Sequence, residues 1–294
     1  MIQLVALILM LVAAAGAAAP EFPRLERDAR VVWSESPKRF GGFSAIEVSD
    51  DGETFLAISD RGRWARGAFE RKDGRMTGAR MTGFGALHGI DGHVLRGREV
   101  DAEGVAIAPD GSIYVSFEMQ HRIRRFTDID GPAEGVPPHP DFRGLQPNSA
   151  LEALAVDDAG TIYAIPERSG QMTRPFPVYR YRGGVWDKKL SIPREGRFLV
   201  TGADFGPDGR LYVLERDFSW MGGFSNRVRR FDLGPEGLTD EATLLETAFG
   251  SSDNFEGISV WRDAEGRTRV TLIADDNFFA LQSTAIAEYV LVEG

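Results

Sequence analysis

The chain has 294 residues, 43% of them hydrophobic, which is enough for one large domain or two small ones. Its formal net charge of −10 argues against nucleic acid as a partner, because such binding depends on neutralising phosphates with Lys and Arg. The absence of cysteine excludes disulfides, thiol catalysis and a lipid-modified cysteine anchor. The 34 glycines and the short β-branched or aromatic runs favour many short strands over helices.

The first 19 residues have the pattern of a secretory signal, an apolar run followed by small residues. They depart from that pattern at the front, where no Lys or Arg precedes the apolar run. An uncleaved membrane anchor is the alternative, but the run is shorter than the ~20 residues that a spanning helix needs. We therefore predict a signal peptide at residues 1–19 and one domain at residues 20–294, located in the periplasm or outside the cell.

A two-strand pattern recurs five times after the signal segment. Each copy is an apolar strand, a turn built on Asp-Gly or Ala-Gly, a second apolar strand and an acid. The first strand opens with Ser44, Glu103, Glu152, Thr201 and Glu256 in turn, and the second ends at Asp60, Glu118, Glu167, Glu215 and Asp275. In an antiparallel hairpin the start of one strand lies beside the end of the next, so both positions fall at one end of every hairpin. Five hairpins folded about one axis would gather these carboxylates on one rim.

The spacing of the copies points to a propeller. They open about 50 to 60 residues apart, which suits blades of four strands each. We predict an all-β protein, a β-propeller of five four-stranded blades. The last copy is followed by only one further strand, so we assign its missing strand to residues 29–36 (ARVVWSES), a closure of the ring that removes open sheet edges. The alternatives are a sixth blade built in part from residues 88–100, and a β-sandwich pair, which would not explain the in-phase repeat.

The predicted rim carries enough acids to need compensating cations. Two carboxylates about 5 Å apart repel by roughly 3 kcal/mol at an effective dielectric of 20. Calcium accepts about six to eight oxygen ligands in flexible geometry, which a mixed ring of acids and carbonyls supplies. The candidate calcium ligands are Asp60, Glu103, Glu118, Glu152, Glu215, Glu256, Asp275, Asp276 and Asn277. The alternative is that the acids pair with Arg, since three copies end in acid–arginine dipeptides.

Arginines accompany the acids on the predicted rim. Arg can grip a phosphate or a carboxylate through two parallel hydrogen bonds. The candidate substrate-binding residues are Arg61, Arg174, Asn148, Asn254 and His121, and the candidates for stabilising transition-state charge are Arg168 and Arg216. The alternative role of the rim arginines is to neutralise the ring. No Gly-x-Ser-x-Gly elbow is present in the sequence, which argues against a serine esterase. The aromatic loop at residues 217–226 is either a lid over a pocket or a plug in the channel mouth.

Three segments carry a resemblance to a known family: AEGVAIAPDG at residues 102–111, NSALEALAVD at residues 148–157 and DNFEGISVWRD at residues 253–263. They resemble the phytase-like family of exported bacterial proteins, also called the "esterase-like activity of phytase" family. The resemblance implies a β-propeller and, by distant analogy with β-propeller phytases, calcium on an acidic face that hydrolyses phosphate esters. The residues that match the family's pattern are Glu103, Asn148, Glu152, Glu167, Arg168 and Glu256. Ser44 and Thr201 depart from it, because they stand where the other copies have Glu.

Together these observations predict a calcium-dependent hydrolase of phosphate esters or small anionic esters. Glu103, Glu152, Glu256, Asp275 and Asp276 would hold the metal, and Glu167 would orient or deprotonate the attacking water. A lactonase-like calcium propeller and a non-catalytic propeller that binds a ligand or partner are the alternatives. We expect a monomer that takes a small anionic ester and binds neither nucleic acid nor, beyond its signal peptide, a membrane.

Overall fold

Twenty strands and two short 3-10 helices form the regular structure of residues 22–146, 151–234, 237–279 and 281–294, which are the residues that the computed structural model describes. In each repeated hairpin the turn between the two strands contains a glycine with positive φ, a backbone conformation that other residues adopt at a cost. The predicted signal segment at residues 1–19 and Asn148 lie outside the described residues. None of the described helices is long and apolar enough to cross a membrane.

The strands form five antiparallel sheets of four, which are the five blades of a β-propeller. In chain order they begin with β1 (Arg24–Val32). Blade 1 contains β2 (Phe43–Val48), β3 (Thr54–Ser59), β4 (Arg63–Lys72) and β5 (Arg75–Ala86). Blade 2 contains β6 (Ala102–Ile107), β7 (Ile113–Phe117), β8 (Arg122–Phe126) and β9 (Glu134–Gly135). Blade 3 contains β10 (Ala153–Val156), β11 (Ile162–Ile165), β12 (Phe176–Arg182) and β13 (Val185–Ile192). Blade 4 contains β14 (Leu199–Phe205), β15 (Leu211–Ser219), β16 (Gly223–Gly234) and β17 (Gly237–Glu246), and blade 5 contains β18 (Phe255–Arg262), β19 (Thr268–Ala274), β20 (Ala285–Val292) and β1.

The prediction of five four-stranded blades is confirmed, and so is the closure of the ring by an N-terminal strand. β1 pairs antiparallel with β20, from Arg24 opposite Val292 to Val32 opposite Ala285. The closing strand begins earlier than the predicted residue 29 and ends at Val32, so Trp33 lies beyond it. Trp33 is buried, with its ring 5.1 Å from that of Phe43 in blade 1. The aromatic contact thus attaches the end of the closing strand to the neighbouring blade.

The segment proposed for a sixth blade is not part of a blade. Residues 88–100 contain one isolated β-bridge, between His88 and Val94, and a 3-10 helix at Gly97–Glu99. The segment connects the outer strand of blade 1 to the inner strand of blade 2. Because β5 ends and β6 begins at the same end of the propeller, it lies on the rim where the inner strands open.

The core is divided among the interfaces between blades. Five clusters of buried apolar side chains are found in the described residues, and each fills the space between two neighbouring sheets. The inner strands β2, β6, β10, β14 and β18 contact one another in a ring around the axis. A small residue follows the opening position in every copy, as Gly257 does after Glu256. A Cβ at Gly257 would lie 2.8 Å from the Cα of Ala45, so only glycine allows these inner strands to approach so closely.

Candidate functional site

Four of the five opening residues of the repeat sit on irregularities of the inner strands. In blades 1, 4 and 5 the register between the first two strands skips one residue, and the skipped residues are Ser44, Thr201 and Glu256. In blade 2 the register shifts across Glu103 and Gly104. A β-bulge re-aims the side chain of the extra residue and bends the strand. The bulges are therefore the local reason that these four opening residues point to the axis.

The structure brings the five opening residues together around one channel. Ser44, Glu103, Glu152, Thr201 and Glu256 line the same narrow space between the inner strands. Glu103 is buried, and so are Ser44 and Thr201. The opening positions thus meet at one end of the channel, and three of the five carry carboxylates.

An acidic triad lies in blade 2 at the channel mouth. Carboxylate oxygens of Asp101, Glu103 and Glu118 lie within 4.8 Å of one another. The triad adds Asp101 to the predicted calcium ligands, among which it was not named. Asp101 precedes Glu103 by two residues, and the backbone carbonyl of Asp101 accepts a hydrogen bond from the Glu118 amide at 2.9 Å. Asp101 and Glu103 are two residues apart, and residues at this spacing lie on the same face of a strand, so the spacing could have identified Asp101 as a further candidate.

The acids near the axis hold protons more tightly than exposed acids do. Burial, followed by the negative charges of Glu256, Asp101 and Glu118, raises the pKa of Glu103 well above its usual value. Burial and the charges of neighbouring acids likewise raise the pKa of Glu152 well above its usual value. For Asp275 and Asp60, burial is the largest cause of pKa values of about 8 and about 6. When a cation binds among such buried acids, its positive charge replaces that of the protons, which are released to water.

Arg216 neutralises one side of this ring. Its guanidinium donates to Asn254 Oδ1 at 2.7 Å and to Glu256, and it lies 3.9 Å from Glu167. Asn254 completes the contact by donating to Glu256 Oε1 at 3.1 Å. Arg216 is in blade 4, whereas Glu167 and Glu256 belong to blades 3 and 5. The prediction that an arginine neutralises part of the ring therefore describes Arg216, and the acidic triad lies on the other side.

A cavity of about 460 Å³ opens beside Arg216 on the same rim. Four arginines line it, together with three acids and the rings of Phe218 and Phe224; the charged residues are Glu167, Arg168, Arg194, Arg197, Arg216, Asp217 and Glu256. Arg168 is half exposed and donates to Glu167 Oε2 at 3.1 Å. The cavity therefore presents guanidinium groups next to the acidic channel mouth, an arrangement suited to an anionic ligand.

The aromatic loop is the tip of a long hairpin, and the plug alternative is wrong. β15 and β16 remain paired as far as Ser219 opposite Gly223. Trp220 and Met221 at the tip are 91% and 94% exposed, so neither fills the channel. Phe218 and Phe224, lower on the hairpin, form a wall of the 460 Å³ cavity.

Other predicted residues have partners that explain them differently. Glu215 is fully buried and accepts hydrogen bonds from Arg227 Nε at 2.7 Å and Arg229 Nε at 2.9 Å, so arginines rather than a metal compensate it. Asp276 accepts from the backbone amides of Gly42 and Phe278, both at 3.0 Å, and so secures the loops around it. These bonds leave Glu215 and Asp276 outside the group of residues that we propose for a cation.

The remaining predicted residues are spread over the rim. Asn277 lines the 460 Å³ cavity, and its side-chain amide donates to Gln282 at 2.8 Å. Arg174 lines a different cavity, of about 530 Å³, against the outer strands of blade 3. His121 has Nδ1 at 2.7 Å from the Phe142 carbonyl, away from the residues that line the channel. Arg61 lies 3.6 Å from Asp60 and stacks on the ring of Phe278.

Fold and site together define a five-bladed β-propeller with an acid-lined channel mouth. The chain belongs to the Phytase-like family, described as esterase-like activity of phytase, which it matches over residues 38–278. None of the curated proteins compared with the chain is significantly similar to it in sequence.

Two solved structures are similar to the chain at low sequence identity. An α-L-arabinofuranosidase from Podospora anserina is 12% identical, with a TM-score of 0.52 over 93% of this chain and 98% of that one. An aldose sugar dehydrogenase from Streptomyces coelicolor, solved with bound PQQ, is 16% identical, with a TM-score of 0.44 over 87% of this chain and 82% of that one. At this identity, the similarity to the arabinofuranosidase shows the fold alone.

Proposed function

We propose that this protein is a calcium-dependent hydrolase of phosphate esters or similarly anionic small esters. The observation that carries the proposal is the juxtaposition at the channel mouth of buried acids with raised pKa values and a cavity lined by arginines. The acids favour a cation, and the arginines favour an anionic group beside it. An anionic ester is the kind of substrate that uses both halves of such a site.

The residues present fit a calcium ion. Asp101, Glu103 and Glu118 offer converging oxygens, and burial disfavours the charged forms of Asp101 and Glu103 when no cation is bound. Glu152 and Glu256 line the same channel and extend the donor set. When bound, calcium would polarise an ester oxygen and promote ionisation of water. This donor set is the part of the site that a chelator should affect.

The chain's own groups would bind the substrate and move the proton. Arg168 and Arg216 would hold the anionic group and stabilise the charge that develops on its oxygens. Glu167 lies between these two guanidinium groups and would accept the proton of the attacking water. In the hydrolysis of a phosphate monoester, the water oxygen bonds to phosphorus, the ester P–O bond breaks, and the alcohol leaves with a proton.

A substrate panel tests the proposal. Aryl phosphates, aryl acetates and lactones would be assayed with calcium, after chelation, and again with calcium restored. We expect hydrolysis of a phosphate or anionic ester that chelation abolishes and calcium restores. Turnover of lactones alone would indicate the lactonase-like alternative instead. Turnover that survives chelation would contradict the proposal.

A second candidate function is a non-catalytic propeller that binds a ligand through its rim. The observation that favours it is the engagement of Arg216 by Asn254 and Glu256, because a guanidinium held in ion pairs between blades has a structural role already. The absence of turnover across the whole panel, combined with calcium binding, would support this candidate over the hydrolase.

We also propose that the protein is exported and monomeric. The motivation is the secretory pattern at residues 1–19 and the closure of the ring, in which β1 covers the edge of β20 that would otherwise be open to another chain. Cell fractionation and light scattering would test these two proposals. Retention in the cytoplasm would contradict the first, and a concentration-independent dimer would contradict the second.

A further inference from the structure

A second, larger cleft opens on the rim at blade 1. Its volume is about 870 Å³, and its lining includes Arg39, Arg61, Arg63, Arg96, Val100 and Phe278. Four of these residues are arginines, and none of these lining residues is acidic. The protein as a whole carries a formal net charge of −10. A cleft lined by four arginines and no acid therefore differs in charge from the protein as a whole.

Most of these arginines form no ion pair within the described residues. Within the described residues, Arg39, Arg63 and Arg96 have no carboxylate within ion-pair distance of their guanidinium groups. Arg61 has a contact of 3.6 Å with Asp60, long for an ion pair, and it is 59% exposed. By contrast, Arg168, Arg197 and Arg216, which line the 460 Å³ cavity, each have a carboxylate within 4 Å. Of the four arginines of the cleft, Arg61 has acids nearby, Asp60 and Asp101, whereas the other three form no ion pair in the part of the chain that the structure describes.

The walls of the cleft are held in place by backbone contacts. The Leu87 amide donates to the Gly62 carbonyl at 2.9 Å, and the Leu95 amide donates to the Leu87 carbonyl at 3.0 Å. Gly62 has positive φ, and a Cβ there would lie 2.8 Å from Cβ of Val100, so segment 88–100 packs directly on this turn. Arg39 also has positive φ, at 76°, a conformation that is uncommon for a residue other than glycine and that often occurs at binding sites.

We propose that this cleft is a binding site for a small oxyanion-bearing molecule, separate from the cation site at the channel mouth. Guanidinium groups bind phosphate, sulfate or carboxylate through paired hydrogen bonds. Val94, Val100 and the ring of Phe278 supply an apolar wall beside them, which suits an aromatic or aliphatic group attached to the anion. Because the lining residues contain no carboxylate, binding here requires no metal, and the inference does not depend on the proposed hydrolase activity.

Calorimetry with phenyl phosphate, in the presence of a chelator so that hydrolysis is prevented, tests the site. We expect saturable binding, stronger for phenyl phosphate than for inorganic phosphate. The double variant Arg63→Gln/Arg96→Gln should weaken it at least tenfold, because each charge-assisted hydrogen bond to an anion contributes about a factor of ten or more. Arg98→Gln is the matched control, since Arg98 is an exposed residue of the neighbouring 3-10 helix that does not line the cleft.

The outcomes distinguish this site from the channel mouth. Binding that the double variant retains, or that Arg98→Gln loses equally, would overturn the proposal, as would the absence of binding to the wild-type protein. Binding that appears only with calcium would also overturn it and would place the anion at the cation site instead. Melting curves would show whether the double variant is folded, and Arg39→Gln, on a different loop, is the second variant if it is not.

Discussion

Two acids at the same place in the repeat have opposite surroundings. Glu118 ends the second strand of blade 2 and lies with Asp101 and Glu103 in the acidic triad. Glu215 stands at the corresponding position in blade 4 and accepts hydrogen bonds from two arginines, Arg227 and Arg229. The repeat alone does not distinguish the two acids, and yet one belongs to a candidate cation site and the other to a buried salt bridge.

The third strand of each blade accounts for the difference. In blade 4, β16 places Arg227 directly opposite Glu215. In blade 2, β8 places Arg122 opposite Phe117, one residue earlier, and the Arg122 guanidinium donates to the Glu99 carbonyl at 2.6 Å. The third strand of blade 4 therefore places an arginine directly opposite Glu215, whereas in blade 2 the corresponding arginine is offset by one residue from Glu118. The buried charge of Glu215 is thus compensated by the third strand. Glu167 and Glu256 are instead compensated by Arg168 and Arg216, which directly follow the acids that end the second strand of the repeat.

The largest expected effect comes from removing the buried acid. Glu215→Gln would leave Arg227 and Arg229 as buried charges without their main partner. Breaking a buried ion pair in this way typically costs about 3–5 kcal/mol, so thermal or denaturant unfolding should show a large loss of stability. Glu246→Gln is the control, because Glu246 is an exposed and distant partner of Arg227, at 3.9 Å. If both variants were equally stable, the salt-bridge interpretation of Glu215 would be wrong.

A third way of compensating a buried acid, by a proton, operates at the other end of the channel. Asp204 accepts hydrogen bonds from the Val260 and Phe205 amides, and burial raises its pKa to about 7. Burial and the charge of Asp204 raise the pKa of Glu47 well above its usual value. The native state therefore binds more protons than the unfolded state between pH 4 and 7. The resulting stability is fully present below about pH 4 and is lost as the pH rises through about 7.

Asp204→Asn should flatten this pH dependence. A shift from 3.8 to about 7 corresponds to a loss on the order of 4 kcal/mol between pH 4 and pH 8. The measurement is the free energy of unfolding against pH, with chelator present, for the wild-type and variant proteins. The slope left in the variant would belong to the rim acids. A variant whose curve has the wild-type slope would show that Asp204 is not the group that titrates.

A smaller effect is expected from the arginine that bridges three blades. Arg216→Lys keeps the charge but loses the planar pair of donors that reaches Asn254 and Glu256. If Arg216 stabilises a transition state, calcium-dependent turnover should fall about a hundredfold with little change in melting temperature. Arg197→Lys is the control, because Arg197 lines the same cavity but is 73% exposed. A fall in melting temperature with turnover intact would assign Arg216 a purely structural role.

The smallest expected effect is calcium stabilisation through the triad. A ligand at a hundred times its Kd stabilises the native state by about 2.7 kcal/mol, so calcium should raise the melting temperature of the wild-type protein. Asp101→Asn/Glu103→Gln should abolish most of that rise, whereas Glu134→Gln, an exposed acid of the same blade, should keep it. An unchanged wild-type melting temperature across millimolar calcium and after chelation would contradict the cation site.

The fold could be predicted because its signal is repeated. The five in-phase hairpins predict the number of blades. The acids at the same two positions of each hairpin predict that one end of the channel is acidic. The sequence also placed the closing strand in the right part of the chain. It did not place the ends of the strand, although Pro23, directly before Arg24, marks the start. A blade whose last strand is only Glu134–Gly135 carries too little pattern to be assigned from sequence.

The candidate site could be predicted only in part. The opening residues were identified, but the bulges that aim them at the axis depend on a register that one strand alone does not specify. The distinction between Glu118 and Glu215 was not accessible, because it depends on the third strand. The basic cleft was missed for a similar reason. Arg39, Arg63 and Arg96 are well separated in the sequence and meet only because segment 88–100 folds back onto the rim.

The closure of the ring has a kinetic consequence. The last blade combines β1 with β18, β19 and β20, so its outer pair joins Arg24–Val32 to a strand that ends at Val292. Closing a loop of this length costs roughly 5 kcal/mol of chain entropy before the pairing can repay it. We therefore expect this pairing to form late and to make folding slow. A circular permutant opened between two blades would make the last sheet continuous, and it should fold faster while keeping the same native contacts.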